Sequence, residues 1–388
     1  MPEQFQHGVE IVELDNAPRA IRTVKSSVIG IIGTAPDADK SKFPLNIPVL
    51  VAGSLKEAAK LGKTGTLPGA MDGIFDQTGA MVVVIRVDTD DDVAKQQALI
   101  QGGVDTDTGE YTGVHAFLSS AASCGAQPKL LIAPGFTDEQ SIVTEMVGIA
   151  ERLRAVVIAD GPSTNDTDVI AYRNQFGSGR IFLVDPAVKV KDPQTGLETI
   201  QPLSPRVAGL IAKTDNKRGF WHSPSNQEIN GIIGSERTIH FIQGDPNVRA
   251  NLLNENEITT LIRKRGFFLW GNRTCSSDPK WAFLQVRRTA DIIQESVQRA
   301  LDWAVDRNIT TLFTEMVEES VNAYLRNLIN IGAILGGECW ADPDLNTPAN
   351  IAAGKAYFNI KFTPPTPAEH IVFHCSVTNE YMKGVVNG

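Results

Sequence analysis

Apolar residues in the first half of this chain gather in unbroken runs rather than alternating with polar ones. The runs fall at residues 27–33, 48–52, 81–87, 129–133, 155–159 and 180–184. A strand covered on one face is apolar at every second residue. An unbroken run implies cover on both faces, which is the setting of a parallel sheet. Helical signals separate the runs. Ser54-Leu-Lys-Glu57 has the spacing of a capping box, with Gly62 where that helix should stop. Thr137-Asp-Glu-Gln140 has the same spacing and should open a helix that runs to about Arg154. The alternation of strand and helix predicts an α/β layer fold. Residues 186–250 are richer in Pro, Gly and Asn and read as loops with short strands.

The pattern changes further on. Val286, Ala290, Ile293, Val297, Leu301 and Ala304 recur at spacings of three and four, predicting a helix with one apolar stripe. Phe313, Val317, Val321, Tyr324, Leu328 and Ile331 predict a second helix, ended by Gly332, Gly336 and Gly337. Two alternating strands should follow. In the first, Ala356, Phe358, Ile360 and Phe362 share a face; in the second, Ile371, Phe373, Cys375 and Val377 do. Pro364, Pro365 and Pro367 keep the connection between them out of a ladder. At the other end, Gly8–Leu14 is rich in β-formers and is cut off by Pro18.

Composition narrows the function classes. The 388 residues suffice for two or three domains, and 42% hydrophobic with 21% charged residues is ordinary for a globular protein. No run of 18 apolar residues predicts a membrane span, and the opening residues lack the features of a signal peptide. Cys124, Cys275, Cys339 and Cys375 are widely spaced, which favours reduced, small buried thiols in a cytoplasm. The net charge of −9 speaks against nucleic-acid binding. Most of the excess acid precedes Glu257, with 23 Lys and Arg against 31 Asp and Glu there, and 13 against 14 afterwards. Asp88–Glu110 alone carries seven acids against Lys95 and reads as a solvated loop face.

Catalytic and metal chemistry fits poorly. Gly62-Lys63-Thr64 resembles a phosphate loop, but the required upstream glycine is Glu57, which would repel phosphate. His370 and His374 would stand roughly 13 Å apart on a strand, too far for one ion. Asp105, Asp107 and Glu110 open like a calcium loop, yet Ala116 sits where the closing glutamate belongs. Asp88, Asp160 and Asp185 fall at strand ends, where α/β enzymes keep their active sites. No Gly-x-Ser-x-Gly accompanies them, and His115 and His222 lack evident carboxylate or serine partners. A soluble α/β hydrolase using Asp160 or Asp185 is the alternative reading; Asp residues capping turns before Gly161 and Pro186 is the simpler one.

The most informative stretch is residues 258–288. Two apolar bursts, Gly266–Trp270 and Trp281–Val286, flank a polar turn, and arginines bracket both ends. It reads as a junction where an α/β body hands over to a helical and β-rich tail. Its centre is Leu269-Trp270-Gly271-Asn272-Arg273-Thr274. Other short matches lie in order along the chain. They are His7-Gly8-Val9, Pro48-Val49-Leu50, Asp160-Gly161-Pro162, Gly219-Phe220-Trp221, Ser223-Pro-Ser-Asn226, Ile229-Asn-Gly231, Asp302–Asp306, Ala341–Asn346 and Gly354-Lys355. Together they make the chain similar to the contractile phage tail sheath family, above all the short sheaths of P2-type phages and R-type bacteriocins.

That resemblance implies a structural protein with no cofactor and no catalytic or metal site. It implies an outer, subtilisin-like α/β domain at 26–255 and an inner α+β domain at 256–371. A β arm at 1–25 and another at 372–388 would complete sheets in neighbouring subunits. Val9, Ile11 and Glu13 on one arm, and Phe373, Cys375 and Val377 on the other, are the residues expected in those exchanged strands. Trp270, Gly271, Asn272 and Arg273 form the signature turn. Glu318, Asn322, Arg326 and Asn330 lie on the polar side of the second C-terminal helix and would face the tail tube. The implied partners are copies of the chain in six-fold rings stacked helically, the tube protein, and the baseplate and terminator proteins. Neither nucleic acid nor membrane insertion is implied. Assembly would occur in the bacterial cytoplasm, and contraction from a metastable extended state would drive the tube through an envelope. A tube protein, the other ring-forming possibility, would be shorter and mainly β.

Overall fold

A computed structural model describes residues 20–192 and 196–379. The chain begins with β1 (Ile29–Thr34), β2 (Val49–Ala52), α1 (Leu55–Ala58), α2 (Leu67–Phe75), β3 (Met81–Val87) and α3 (Val93–Gln101). A two-residue ladder of β4 (Gly103–Val104) with β5 (Tyr111–Thr112) and the short α4 (Ser120–Cys124) follow. Then come β6 (Leu130–Ile132), α5 (Gln140–Leu153), β7 (Val156–Asp160), α6 (Asp166–Arg173) and β8 (Ile181–Val184). The six apolar runs thus all form strands, and all six join one sheet in the order β2-β3-β1-β6-β7-β8. Five of them are parallel. β2 is the exception, lying antiparallel to β3 at the edge.

The unbroken runs are explained by cover on both faces. Val83, Ile85, Leu131, Val157 and Leu183 point to one layer, where Ile142, Met146 and Ile149 of α5 meet them. Their neighbours Val82, Val84, Leu130, Ile132, Ile158 and Phe182 point to the other, against Met71 and Ile74 of α2. Each fully buried aliphatic side chain contributes about 1.5–3 kcal/mol, so this double layer is the main source of stability in the body.

The two capping boxes fare differently. The Ser54 side chain accepts from the Glu57 N–H, and Gly62 takes a positive φ of 81°, as the spacing predicts. Thr137 does not cap α5, whose N-cap is Glu139 without a side-chain bond. Its hydroxyl instead accepts from the N–H of Asp160 at 2.8 Å, binding the end of β7.

Residues 186–250 hold the short strands expected, β9 (Val188–Lys191), β10 (Glu198–Gln201) and β11 (Gly234–Ser235), and lead into α8 (Arg249–Glu255), which was not expected. They also hold α7 (Ser204–Arg218), a 15-residue helix that the composition hid. Pro205 sits in its first turn, where its missing N–H costs nothing. Val207, Leu210 and Ile211 of α7 pack on the sheet. The hairpin β12 (Thr260–Arg263) and β13 (Phe267–Trp270) then leads to α9 (Leu284–Ala300).

α9 carries the expected apolar stripe, but its charged side is buried too. Arg288 pairs with Asp215 at 2.5 Å; Arg180 and Arg287 both pair with Asp291, at 2.9 and 2.7 Å. Glu295 takes Lys129 and, at 2.7 Å, Arg299. The helix is therefore fastened to the body by ion pairs. Removing one partner of such a buried pair costs about 3–5 kcal/mol.

α10 (Thr311–Asn330) follows, then β14 (Gly336–Ala341), α11 (Pro348–Ala352) and β15 (Phe358–Thr363). Gly332 ends the helix at a φ of 77°, but Gly336 and Gly337 open a strand instead of ending the helix. β14 pairs antiparallel with β15, and a separate core forms between α9, α10 and this pair from Ile293, Val297, Val321, Tyr324, Leu328 and Cys339. Phe358 and Phe362 pack on it, as their shared face predicts. The second alternating segment, 371–378, forms no strand.

Candidate assembly interface

Among the described residues, the β14–β15 pair has one edge without a neighbouring strand. In an antiparallel ladder, facing residues alternate between exchanging both backbone bonds and exchanging none. Cys339 opposite Ile360 exchanges none, because both backbone groups of Cys339 point outward to Asn322. The Asn322 amide donates to the Cys339 carbonyl and its oxygen accepts from the Cys339 N–H, each at 2.8 Å. Glu318 accepts from the N–H of Ala341. Two side chains of α10 therefore occupy the outer side of β14 at Cys339 and Ala341.

By the same alternation, the N–H and C=O of Phe358, Ile360 and Phe362 point away from β14. No further strand lies there among the described residues. A two-stranded sheet is marginal on its own, and a bare edge is a template for another strand. The apolar Ile360 on this strand is 37% exposed.

The C-terminal segment shows the complementary feature. Phe373 is 83% exposed, Ile371, Val372 and Val377 are also exposed, and Cys375 is exposed rather than buried as the cysteine reading expected. Among the described residues no strand pairs with this alternating segment. Cys275 and Cys339 are buried, with burial pushing their thiols up to about 12 and 11. Val9, Ile11 and Glu13 lie outside the described residues.

The signature turn joins three parts of the molecule. Trp270 packs edge-on against Phe241, with the Lys264 ammonium 4.5 Å from its ring centroid. Gly271 has a φ of 148°, and a Cβ there would lie 2.4 Å from the Thr259 hydroxyl, so only glycine fits. Asn272 accepts from the Ser223 hydroxyl, and its carbonyl accepts from the N–H of Leu284 at 3.0 Å, which starts α9. Just beyond, the Cys275 N–H donates to the Ile181 carbonyl at 2.9 Å, on the outer edge of β8. The stretch is the handover from body to tail that its sequence suggested.

Arg273 donates through Nε and Nη2 to one oxygen of Glu369, at 3.0 and 2.8 Å, and lies 5.3 Å from the Phe283 ring centroid. The hydrogen bonds to Glu369 raise its already high pKa.

The polar side of α10 divides. Glu318 and Asn322 are spent on β14. Arg326 and Asn330 are exposed, and Arg326 pairs with Glu319 on the same face. The sequence did not separate these two pairs, because β14 itself was not foreseen.

Two of the strand-end aspartates, Asp160 and Asp185, are bonded to neighbouring segments. Asp160 accepts from the Ser204 N–H at 2.7 Å and from the Ser204 hydroxyl. Burial pushes its pKa up to about 6, against those bonds. Asp185 accepts from the Ser163 N–H at 2.9 Å and pairs with Arg237, and burial raises it as well. No histidine contacts either among the described residues. His115 does have a carboxylate partner, Glu145 at 2.8 Å, which the sequence did not reveal. Asp105 closes a plain polar turn, accepting from the N–H groups of Asp107 and Thr108. No group of residues able to hold a metal ion occurs among the described residues.

Comparison with known proteins agrees. Residues 26–87 match the tail sheath protein Gp18 domain III N-terminal region. Residues 109–275 match the phage tail sheath protein central domain, and residues 276–378 the phage tail sheath C-terminal domain. A putative prophage major tail sheath protein of Pseudomonas aeruginosa (strain UCBPP-PA14) is 42% identical, with 99% of each chain covered. The tail sheath protein of Escherichia phage P2 is 33% identical, with 98% of each covered. Among solved structures, the sheath of an extracellular contractile injection system (PVC) in its contracted state superposes with a TM-score of 0.71 at 17% identity, covering 98% of this chain and 100% of that one. The helical sheath of the anti-feeding prophage in its contracted state gives 0.70 at 22%, covering 95% and 98%. The chain belongs to the phage tail sheath protein family.

Proposed function

We propose that this chain is the structural subunit of a contractile tail sheath, with six-fold rings stacked helically around a tail tube. The rings assemble extended and contract to drive the tube through a bacterial envelope. It works without catalysis or cofactor. The carrying observation is the bare edge of β15 beside an exposed, alternating segment at 371–377. Backbone bonds along such an edge hold a neighbour's strand whatever its side chains, while the connecting segments bend. In this reading residues 1–25 and 372–388 are the exchanged arms. Residues 26–255 form an outer, subtilisin-like layer, and residues 256–371 an inner one.

The exposed Arg326 and Asn330 face the tube. Contact there is weak, since exposed ion pairs contribute about 0–1 kcal/mol each, and weak contact suits a sheath that must let go. Baseplate and terminator proteins bound the stack, and assembly takes place in the host cytoplasm. No helix among the described residues is long and apolar enough to cross a membrane.

Electron microscopy of the purified chain with its tube tests the reading. The full chain builds cylinders. Deletion of 1–15 or of 372–388 leaves a folded chain that builds none, and Arg326→Glu weakens attachment to the tube. Normal cylinders from either deletion would remove arm exchange from the account.

A further inference from the structure

We propose that a basic cleft beside residues 20–28, at the seam of body and tail, is a docking site for the acidic 88–92 loop of a second copy of this chain. The proposal rests on the sheath reading only in that copies of the chain meet.

The cleft is built where residues 20–28 cross from the tail to the body. The Val24 N–H donates to Ser296 Oγ at 3.0 Å, and Thr23 meets the Tyr324 hydroxyl at 3.1 Å. Ser26 donates to Asp215 at 2.7 Å, and Arg288 donates to the Ser26 carbonyl at 3.1 Å. These bonds fix the backbone that carries Arg22 and Lys25. Both line an open cavity of about 680 Å³, together with Lys129 and Arg299.

The charge of that cavity is one-sided. Glu295 is the one carboxylate in the lining, and Lys129 and Arg299 already share it. Arg299 also donates to Gln127 at 2.7 Å, and Lys129 to the Leu153 carbonyl at 2.7 Å. Lys25 reaches the Met81 sulfur at 3.5 Å, and neither it nor Arg22 pairs with a carboxylate among the described residues. The cleft is thus basic in a chain whose net charge is −9. Copies of an acidic chain repel one another, and such a cleft is where a carboxylate of one copy finds attraction on the next.

The occupant follows from the strand that starts at the cleft. Met81, the first residue of β3, is in the lining, and Asp88 follows Val87, the last. The seven residues of β3, at about 3.3 Å each, put roughly 20 Å between its ends. The loop after β3 therefore stands at the far end of the sheet and cannot enter the cleft of its own chain. That loop holds Asp88, Asp90, Asp91 and Asp92. Its shape is set internally. Asp90 accepts from the Asp92 N–H, and Asp92 accepts from the Ala94 N–H to cap α3, each at 2.9 Å. Asp88 and Asp91 are exposed, and the Asp91 carboxylate pairs with no cation among the described residues. A cleft at one end of the sheet and its ligand at the other make a head-to-tail contact, the kind that repeats into a ring or a helix.

The test uses the full chain in two variants, Arg22→Glu with Lys25→Glu in the cleft and Asp88→Lys with Asp91→Lys in the loop. All four side chains are exposed, so both variants should melt with the wild type. In sedimentation at low salt each variant should self-associate about tenfold more weakly than the wild type, in line with the loss of two exposed pairs. Raising salt should weaken the wild type towards them. An equal mixture of the two variants should recover wild-type association, because each copy then offers the charge that the other lacks. A mixture no better than either variant overturns the contact. Loss in the cleft variant alone overturns the 88–92 loop as the occupant, and a wild type that stays monomeric at low salt overturns both. Cylinders built equally well by both variants leave the sheath reading standing and sink this contact. A mixture that recovers association but never builds a cylinder around a tube does the reverse.

Discussion

The six-stranded sheet at β8 and the two-stranded sheet at β15 treat an edge in opposite ways. The six-stranded sheet ends in β2 and β8, each only four residues long. The outer side of β8 is already satisfied, since the Ile181 and Leu183 carbonyls accept from the N–H groups of Cys275 and Thr259. In the small sheet, β15 is six residues long and its outer side is bare. The contrast separates two tasks. The body holds its shape by burying both faces of its sheet. The tail keeps a strand edge with no neighbour among the described residues, the edge that the proposed arms would fill.

The largest effect that would sharpen this contrast comes from Ile360→Pro. Proline removes an N–H that no internal bond uses, on an edge strand where it is tolerated. Unfolding free energy should change by about 1 kcal/mol or less, while cylinders disappear from micrographs. Equal loss of folding and assembly would break the distinction between the two sheets.

Asp215→Ala attacks the seam instead. It strands the buried Arg288 and frees Ser26. Denaturant unfolding should show a loss of about 3–5 kcal/mol, with assembly failing only because the fold does. A loss below 1 kcal/mol would mean that the ion pairs along α9 are incidental.

The smallest effect concerns the body alone. Asp160 binds its proton more tightly folded than unfolded, so its part in stability is greatest at low pH. That part is lost as pH rises from about 4 to about 6. Asp160→Asn does not titrate, so its stability relative to wild type should rise by about 1–2 kcal/mol over that window and then level off. Melting curves at pH 4 and pH 7 measure this; a constant difference would assign the charge no burial cost. Assembly should be unaffected.

The body was far more legible in sequence than the tail. Runs such as Val82–Val87 can be read because burial on two faces leaves no polar residue to mislead. Strand direction was not legible: nothing in Val49–Ala52 tells a parallel edge from an antiparallel one. α7 escaped notice because it sits under Pro205 and Gly209 in a polar-looking stretch, and tertiary packing supplies what propensity lacks. The ion pairs of α9 were not legible, since a residue list does not show that Arg180, Asp215 and Lys129 lie opposite its charged side. In the tail, β14 was obscured by its two leading glycines. The roles of Glu318 and Asn322 went with it, because only their place beside that strand distinguishes them from Arg326. The segment at 371–378 is the reverse case. Its alternation was visible at once, yet no strand forms in the isolated chain.

The hydrogen bonds of Asn322 and Glu318 carry one last consequence. By occupying one flank of a two-stranded ribbon at Cys339 and Ala341, they leave the opposite flank, along β15, as the side on which the ribbon can widen.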